Sequence, residues 1–130
     1  MTMRLLLDTH ALLWWWKEAP QLGLNAKAAI ADRSNEVFVS AASAWEIATK
    51  VRKGQLPEFA DSLQAFTHDA VRDGFKFLDI AARHGIAGGS LGGAHKDPFD
   101  RLIAAQALLE ELVVVTRDTQ IAAFGCTVLW

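Results

Sequence analysis

The sequence predicts an α/β domain in which a parallel sheet of short strands is covered by helices on both faces. Three observations carry this. Short runs of β-branched or aromatic residues alternate with longer segments of helical periodicity, the pattern that builds parallel sheets through helical crossovers. The first strand candidate, Arg4-Leu5-Leu6-Leu7, is apolar without alternation, as suits a strand buried on both faces, and it ends on a carboxylate, Asp8. The other strand candidates, Val37-Phe38-Val39, Phe77-Leu78, Val113-Val114-Val115-Thr116 and Thr127-Val128-Leu129, are equally short.

Periodicity and cap signals place the helices. After Asp8, Thr9 begins a helix through about Trp16, and further helices are expected at Asn25–Arg33, Ala41–Lys53, Glu58–Asp73, Ile80–His84 and Pro98–Glu111. A short helical segment, Thr119–Ala123, follows Asp118. Gly85–Ala94 is rich in turn residues and reads as a loop of about ten residues. Internal repeats, linkers and low-complexity tails are not seen, so residues 1–130 read as one domain.

Composition narrows the possibilities. With 52% hydrophobic and 22% charged residues, the chain is long enough to bury a core. The single Cys126 has no partner for an internal disulfide and no metal-ligand spacing, which suits a reducing cytoplasm and a buried, inert thiol. The apolar run Ala11–Trp16 is far shorter than a membrane span and does not follow a basic leader, so a soluble, non-exported protein is expected. A formal net charge of -2 excludes broad attraction to polyanions, so any nucleic-acid contact must use a local basic patch.

The acids carry the functional reading, each beside an ordinary alternative. Asp8 and Asp118 both follow apolar strands, and either can serve simply as a helix N-cap. Glu46 lies three residues after Ser43, the spacing of a capping box, and one turn before Lys50, the spacing of an ion pair. In Asp97-Pro98-Phe99-Asp100-Arg101, Asp97 reads as the N-cap, Pro98 as the first helical residue and Asp100 as the third. One acid suffices for that cap, which leaves Asp100 for chemistry; Asp97 can also pair with Arg101. Jointly the acids say more, because a parallel sheet gathers its strand-to-helix junctions at one edge, where open α/β sheets form their sites. Carboxylates gathered there repel one another unless cations compensate, and oxygen-only ligands suit magnesium or manganese.

Four segments, in order, make the chain resemble the PIN-domain nucleases, and especially the VapC-type toxins of prokaryotic toxin–antitoxin pairs. They are Leu5-Leu6-Leu7-Asp8-Thr9-His10-Ala11-Leu12-Leu13-Trp14, Ser40-Ala41-Ala42-Ser43-Ala44-Trp45-Glu46-Ile47-Ala48, the run from Asp97 to Ala107, and Val113-Val114-Val115-Thr116-Arg117-Asp118. The resemblance implies a three-layer α/β/α domain whose acids support metal-dependent RNA cleavage. Asp8, Glu46 and Asp100 match the family's three central acids, and Asp118 its more variable fourth. The chain departs from the family at Gly92-Gly93-Ala94, where relatives often carry proline or histidine.

On this reading Asp8, Glu46, Asp100 and Asp118 are the catalytic and metal-binding set, with Glu46 a ligand or a water-orienting group. Lys50, Arg101 and Arg117 are the candidate contacts to the phosphate backbone. His10 and His95 lie near the acids without being required, and His68 and His84 carry no motif. Trp14-Trp15-Trp16 cannot share one helix face, so at least one is expected at the surface, as ordinary partial exposure or as a patch for a partner. The resemblance favours a homodimer and a cognate antitoxin. Two other classes remain open. One is a phosphotransfer enzyme with Asp8 as nucleophile, although the second acid common two residues later is replaced by His10. The other is a non-catalytic interaction module whose acids are caps.

Overall fold

The apolar run Leu5-Leu6-Leu7 is completely buried because it forms most of β1 (Arg4–Leu7), the middle strand of a five-stranded sheet. The computed structural model describes residues 2–130. Beside β1 lie β2 (Glu36–Ser40) and β4 (Val113–Val115), with β3 (Lys76–Leu78) and β5 (Val128–Leu129) at the edges, giving the order β3-β2-β1-β4-β5. Every pairing is parallel; Leu5, for example, faces Val37 on one side and Val113 on the other.

Successive side chains of a strand point to opposite faces, and β1 divides the core accordingly. Leu5 and Leu7 pack with residues of α1 (Thr9–Lys17), α2 (Leu24–Ala31), α3 (Ala41–Arg52) and α4 (Phe66–Arg72). Leu6 packs with Ile103 and Ala107 of α6 (Pro98–Glu110) and Ile121 of α7 (Thr119–Ala123). Helices therefore cover both faces in the expected three-layer arrangement. No helix among the described residues is long and apolar enough to cross a membrane.

The strands and most helices fall within one or two residues of their expected bounds; three segments differ. The Glu58–Asp73 stretch is two single 3-10 turns, Pro57–Phe59 and Leu63–Ala65, followed by α4. Asp61-Ser62 interrupts the helix, with the Ser62 hydroxyl donating to the Phe59 carbonyl, the local competition that weakens helices at such residues. The expected Ile80–His84 helix and Gly85–Ala94 loop are replaced by one helix, α5 (Ala82–Ser90), which contains three glycines. Gly88 explains the composition: a Cβ there would stand 3.3 Å from the Arg101 carbonyl oxygen, so glycine lets α5 lie closely on α6. Gly85 meets no such neighbour. Gly85→Ala should therefore stabilise the protein by about 0.5–1 kcal/mol through helix propensity, which denaturant unfolding can measure.

The tryptophans also resolve. Trp15 and Trp16 both donate their indole N–H to Asp73 Oδ2, at 3.1 and 2.9 Å, pinning α1 to the end of α4. Trp14 lies between the rings of His10 and Trp130. All three are half-buried, which is the ordinary partial exposure expected of adjacent helix positions, and Trp45 is the most open to solvent, at 65% exposed.

Candidate metal centre

The chain moves outward from β1 through β2 to β3, then crosses back to place β4 on β1's other side. The carboxyl ends of β1 and β4 thus form the switch point of the sheet, where a crevice is built into the topology. A cavity of about 440 Å³ opens there, and Asp8, Glu46, Asp97, Asp100 and Asp118 all line it. The four acids picked out in the sequence are brought together, with Asp97 beside them.

Each acid is held by its backbone surroundings. Asp8 is the N-cap of α1, its Oδ1 accepting from the Ala11 N–H at 2.7 Å. Asp118 caps α7 by accepting from the Gln120 N–H at 2.8 Å. The capping alternative is therefore real for both, and it leaves the second oxygen of each carboxylate outside the cap bond. Thr116 lies beside both: its buried hydroxyl accepts from the Asp118 N–H at 3.0 Å, and its proximity to Asp8 favours the ionised form of that carboxyl. Asp97 caps α6 through bonds from the Phe99 and Asp100 N–H groups, which frees the Asp100 side chain.

Glu46 is buried, and Lys50 one turn on reaches its Oε2 at 2.9 Å, the expected ion pair. The expected Ser43–Glu46 capping box does not form. Ser40 caps α3 instead, because β2 runs directly into the helix, and Ser43 is buried with its hydroxyl 3.0 Å from that of Thr9. This contact ties the start of α1 to α3, one residue after Asp8 and three residues before Glu46.

The basic candidates separate. Lys50 and Arg117 line the crevice, and the Arg117 guanidinium lies 4.5 Å from the centre of the Trp14 ring. Arg101 does not line it. Its guanidinium donates to the carbonyls of Gly88, Leu91 and His95 and stacks over Phe124, and the expected pair with Asp97 is absent. Arg101 is thus turned toward the loop before α6 and stands outside the lining of the crevice, unlike the other two basic candidates.

His95 is the residue whose role the sequence reading left open. Its Nε2 lies 2.8 Å from Asp100 Oδ2, and donor atoms of His95, Asp100 and Asp118 all fall within 4.8 Å of one another. His10 stands at the rim, stacked on Trp14.

The electrostatics show a site short of positive charge. Burial pushes the Asp8 carboxyl above its usual range; Thr116, the Ala11 N–H and His10 oppose the shift, and Asp118 adds to it. Burial likewise raises Asp100, opposed by the His95 hydrogen bond and reinforced by Asp97 and Asp118. Among the described residues five carboxylates line the crevice against two permanently basic side chains, Lys50 and Arg117. Buried, mutually repelling oxygen donors with an imidazole beside them fit a divalent cation, which would supply the missing charge.

Fold and site together define a parallel α/β domain with an acidic crevice at its switch point. The family model described as PIN domain matches residues 5–125, and the chain belongs to that family. A search of curated proteins gave no match. Among solved structures, VapBC2 from Rickettsia felis, bound to a DNA fragment from the complex's promoter, is similar at 20% identity and a TM-score of 0.72, over 98% of each chain. FitAcB from Neisseria gonorrhoeae is similar at 21% identity and a TM-score of 0.71, over 97% of this chain and 96% of that one. VapBC-1 from nontypeable Haemophilus influenzae shares 18% identity at a TM-score of 0.69, over 98% and 97%. At these identities the likeness is one of fold.

Proposed function

We propose that the protein is a magnesium- or manganese-dependent endoribonuclease, the toxin of a type II toxin–antitoxin pair acting in the cytoplasm. The observation that carries this reading is the convergence of Asp8, Glu46, Asp100 and Asp118 on one crevice whose carboxylates outnumber its bases. Membership of the PIN domain family supports nuclease chemistry. The VapBC and FitAcB structures of the same fold support a cognate antitoxin as partner. A homodimer is part of the same proposal, on the family resemblance.

Asp8, Asp100 and Asp118 would hold the cation, and Glu46, steadied by Lys50, would ligate it or accept a hydrogen bond from the attacking water. When bound, a divalent cation supplies an acidified water and charge to offset that developing on phosphate oxygens. Lys50 and Arg117 contact backbone phosphates and position the strand without reading its bases. The Thr116 hydroxyl holds the backbone of Asp118 and lies beside Asp8, favouring its ionised form. No protein nucleophile is required, and on this reading Asp8 acts as a ligand to the cation.

Chelation tests the reading directly. Cleavage of a single-stranded RNA should stop in excess EDTA and return when magnesium or manganese is added back. Cleavage that continues in the chelator would refute it.

A further inference from the structure

We propose that His95 is a nitrogen donor to the metal position formed with Asp100 and Asp118, and that Arg101 is the positioning residue that holds it there. The inference rests on the metal-centre reading above and names a ligand that the four-acid set does not contain.

Geometry is the first argument. Adjacent ligands on an octahedral ion with bonds of about 2.1 Å lie roughly 3 Å apart. His95 Nε2 and Asp100 Oδ2 are already 2.8 Å apart, and an Asp118 oxygen completes a group spanning at most 4.8 Å. Drawing the Asp118 oxygen inward by up to about 2 Å, with the imidazole proton carried on Nδ1, would make the three donors one face of a single cation.

The second argument is how much of the structure is spent on holding His95. It closes a loop that passes through Gly92 and Gly93, the latter at φ +93°. Such a loop is free to sample many conformations unless it is tied. Arg101 ties it at both ends: Nε donates to the Gly88 carbonyl at 2.9 Å, Nη1 to the His95 carbonyl at 2.8 Å, and Nη2 to the Leu91 carbonyl. Phe124 lies under both partners, its ring 5.4 Å from the guanidinium carbon and 6.1 Å from the imidazole. The start of α6 does not need this arginine, since Asp97 already caps it. What the anchor fixes is the approach of the imidazole to Asp100.

Ligand chemistry supplies the consequence. Magnesium is bound through oxygen, whereas an imidazole donor shifts preference along the first-row series toward manganese and beyond. Of the two ions, His95 would favour manganese.

The test uses the full chain with manganese(II) alone as probe, in wild type, His95→Gln, Arg101→Lys and the double variant, each checked for folding by circular dichroism. Pulsed EPR of the bound ion should detect a directly coordinated nitrogen in wild type and none in His95→Gln. Manganese affinity should fall on the order of tenfold in either single variant, and no further in the double variant. Magnesium affinity should fall less. Manganese bound to wild type without nitrogen coupling would overturn the proposal while leaving the acid centre standing. Failure of wild type to bind manganese would overturn both.

Discussion

Asp8→Asn should leave the metal-free protein more stable and its cleavage activity almost abolished. Asparagine caps helices as well as aspartate, so the bond from the Ala11 N–H survives, while the buried charge is gone. The sign follows from proton linkage. The folded protein holds the Asp8 proton more tightly than the unfolded chain, whose carboxyl titrates near 3.8. Stability from this group is therefore complete below 3.8 and is lost as the pH rises through the higher folded value. At neutral pH the ionised carboxylate is a cost, and removing it should give a gain on the order of 1 kcal/mol, typical of sites where function opposes stability. Asp8→Ala, which also removes the cap, should lose about 1 kcal/mol relative to Asp8→Asn. Thermal unfolding in EDTA measures both, and an Asp8→Asn protein less stable than wild type would show that the carboxylate is structural.

Asp100→Ala should lower cleavage on the order of a thousandfold or more with the fold retained. Loss of a charged ligand removes several kcal/mol of transition-state stabilisation, and about 1.4 kcal/mol is a factor of ten in rate. The cost to folding is small, because Asp97 performs the capping at α6 and Asp100 is only half-buried. Its one side-chain partner is His95, so the substitution should also free that imidazole, visible in its NMR resonances.

The residues that were legible in the sequence are those whose neighbours along the chain reveal them. Asp8 and Asp118 each follow an apolar strand, and parallel topology then forces the two ends together. Asp100 stood out because Asp97 already met the need for a cap, and the bonds to Asp97 Oδ1 bear this out. What stayed hidden depends on contacts distant in sequence. Arg101 has the spacing to pair with Asp97, yet its guanidinium turns to one carbonyl of α5 and two of the loop that follows it, whose path no local pattern reveals. His95 gains its place on Asp100 from that loop. The glycines of α5 resemble turn residues until α6 is seen to pass beside Gly88. Ser43 and Thr116 have cap-like or strand-like surroundings in the sequence, and only the fold turns their hydroxyls to Thr9, Asp8 and Asp118.

The most direct measurement is incubation of the purified protein with total cellular RNA, with and without magnesium or manganese, comparing wild type with Asp100→Ala. Wild type should cleave only when a divalent cation is present, and Asp100→Ala should leave the RNA intact under every condition. Equal cleavage by the two proteins, or an intact RNA pool with wild type and both metals, would contradict the assignment of the acidic crevice as a metal-dependent ribonuclease centre.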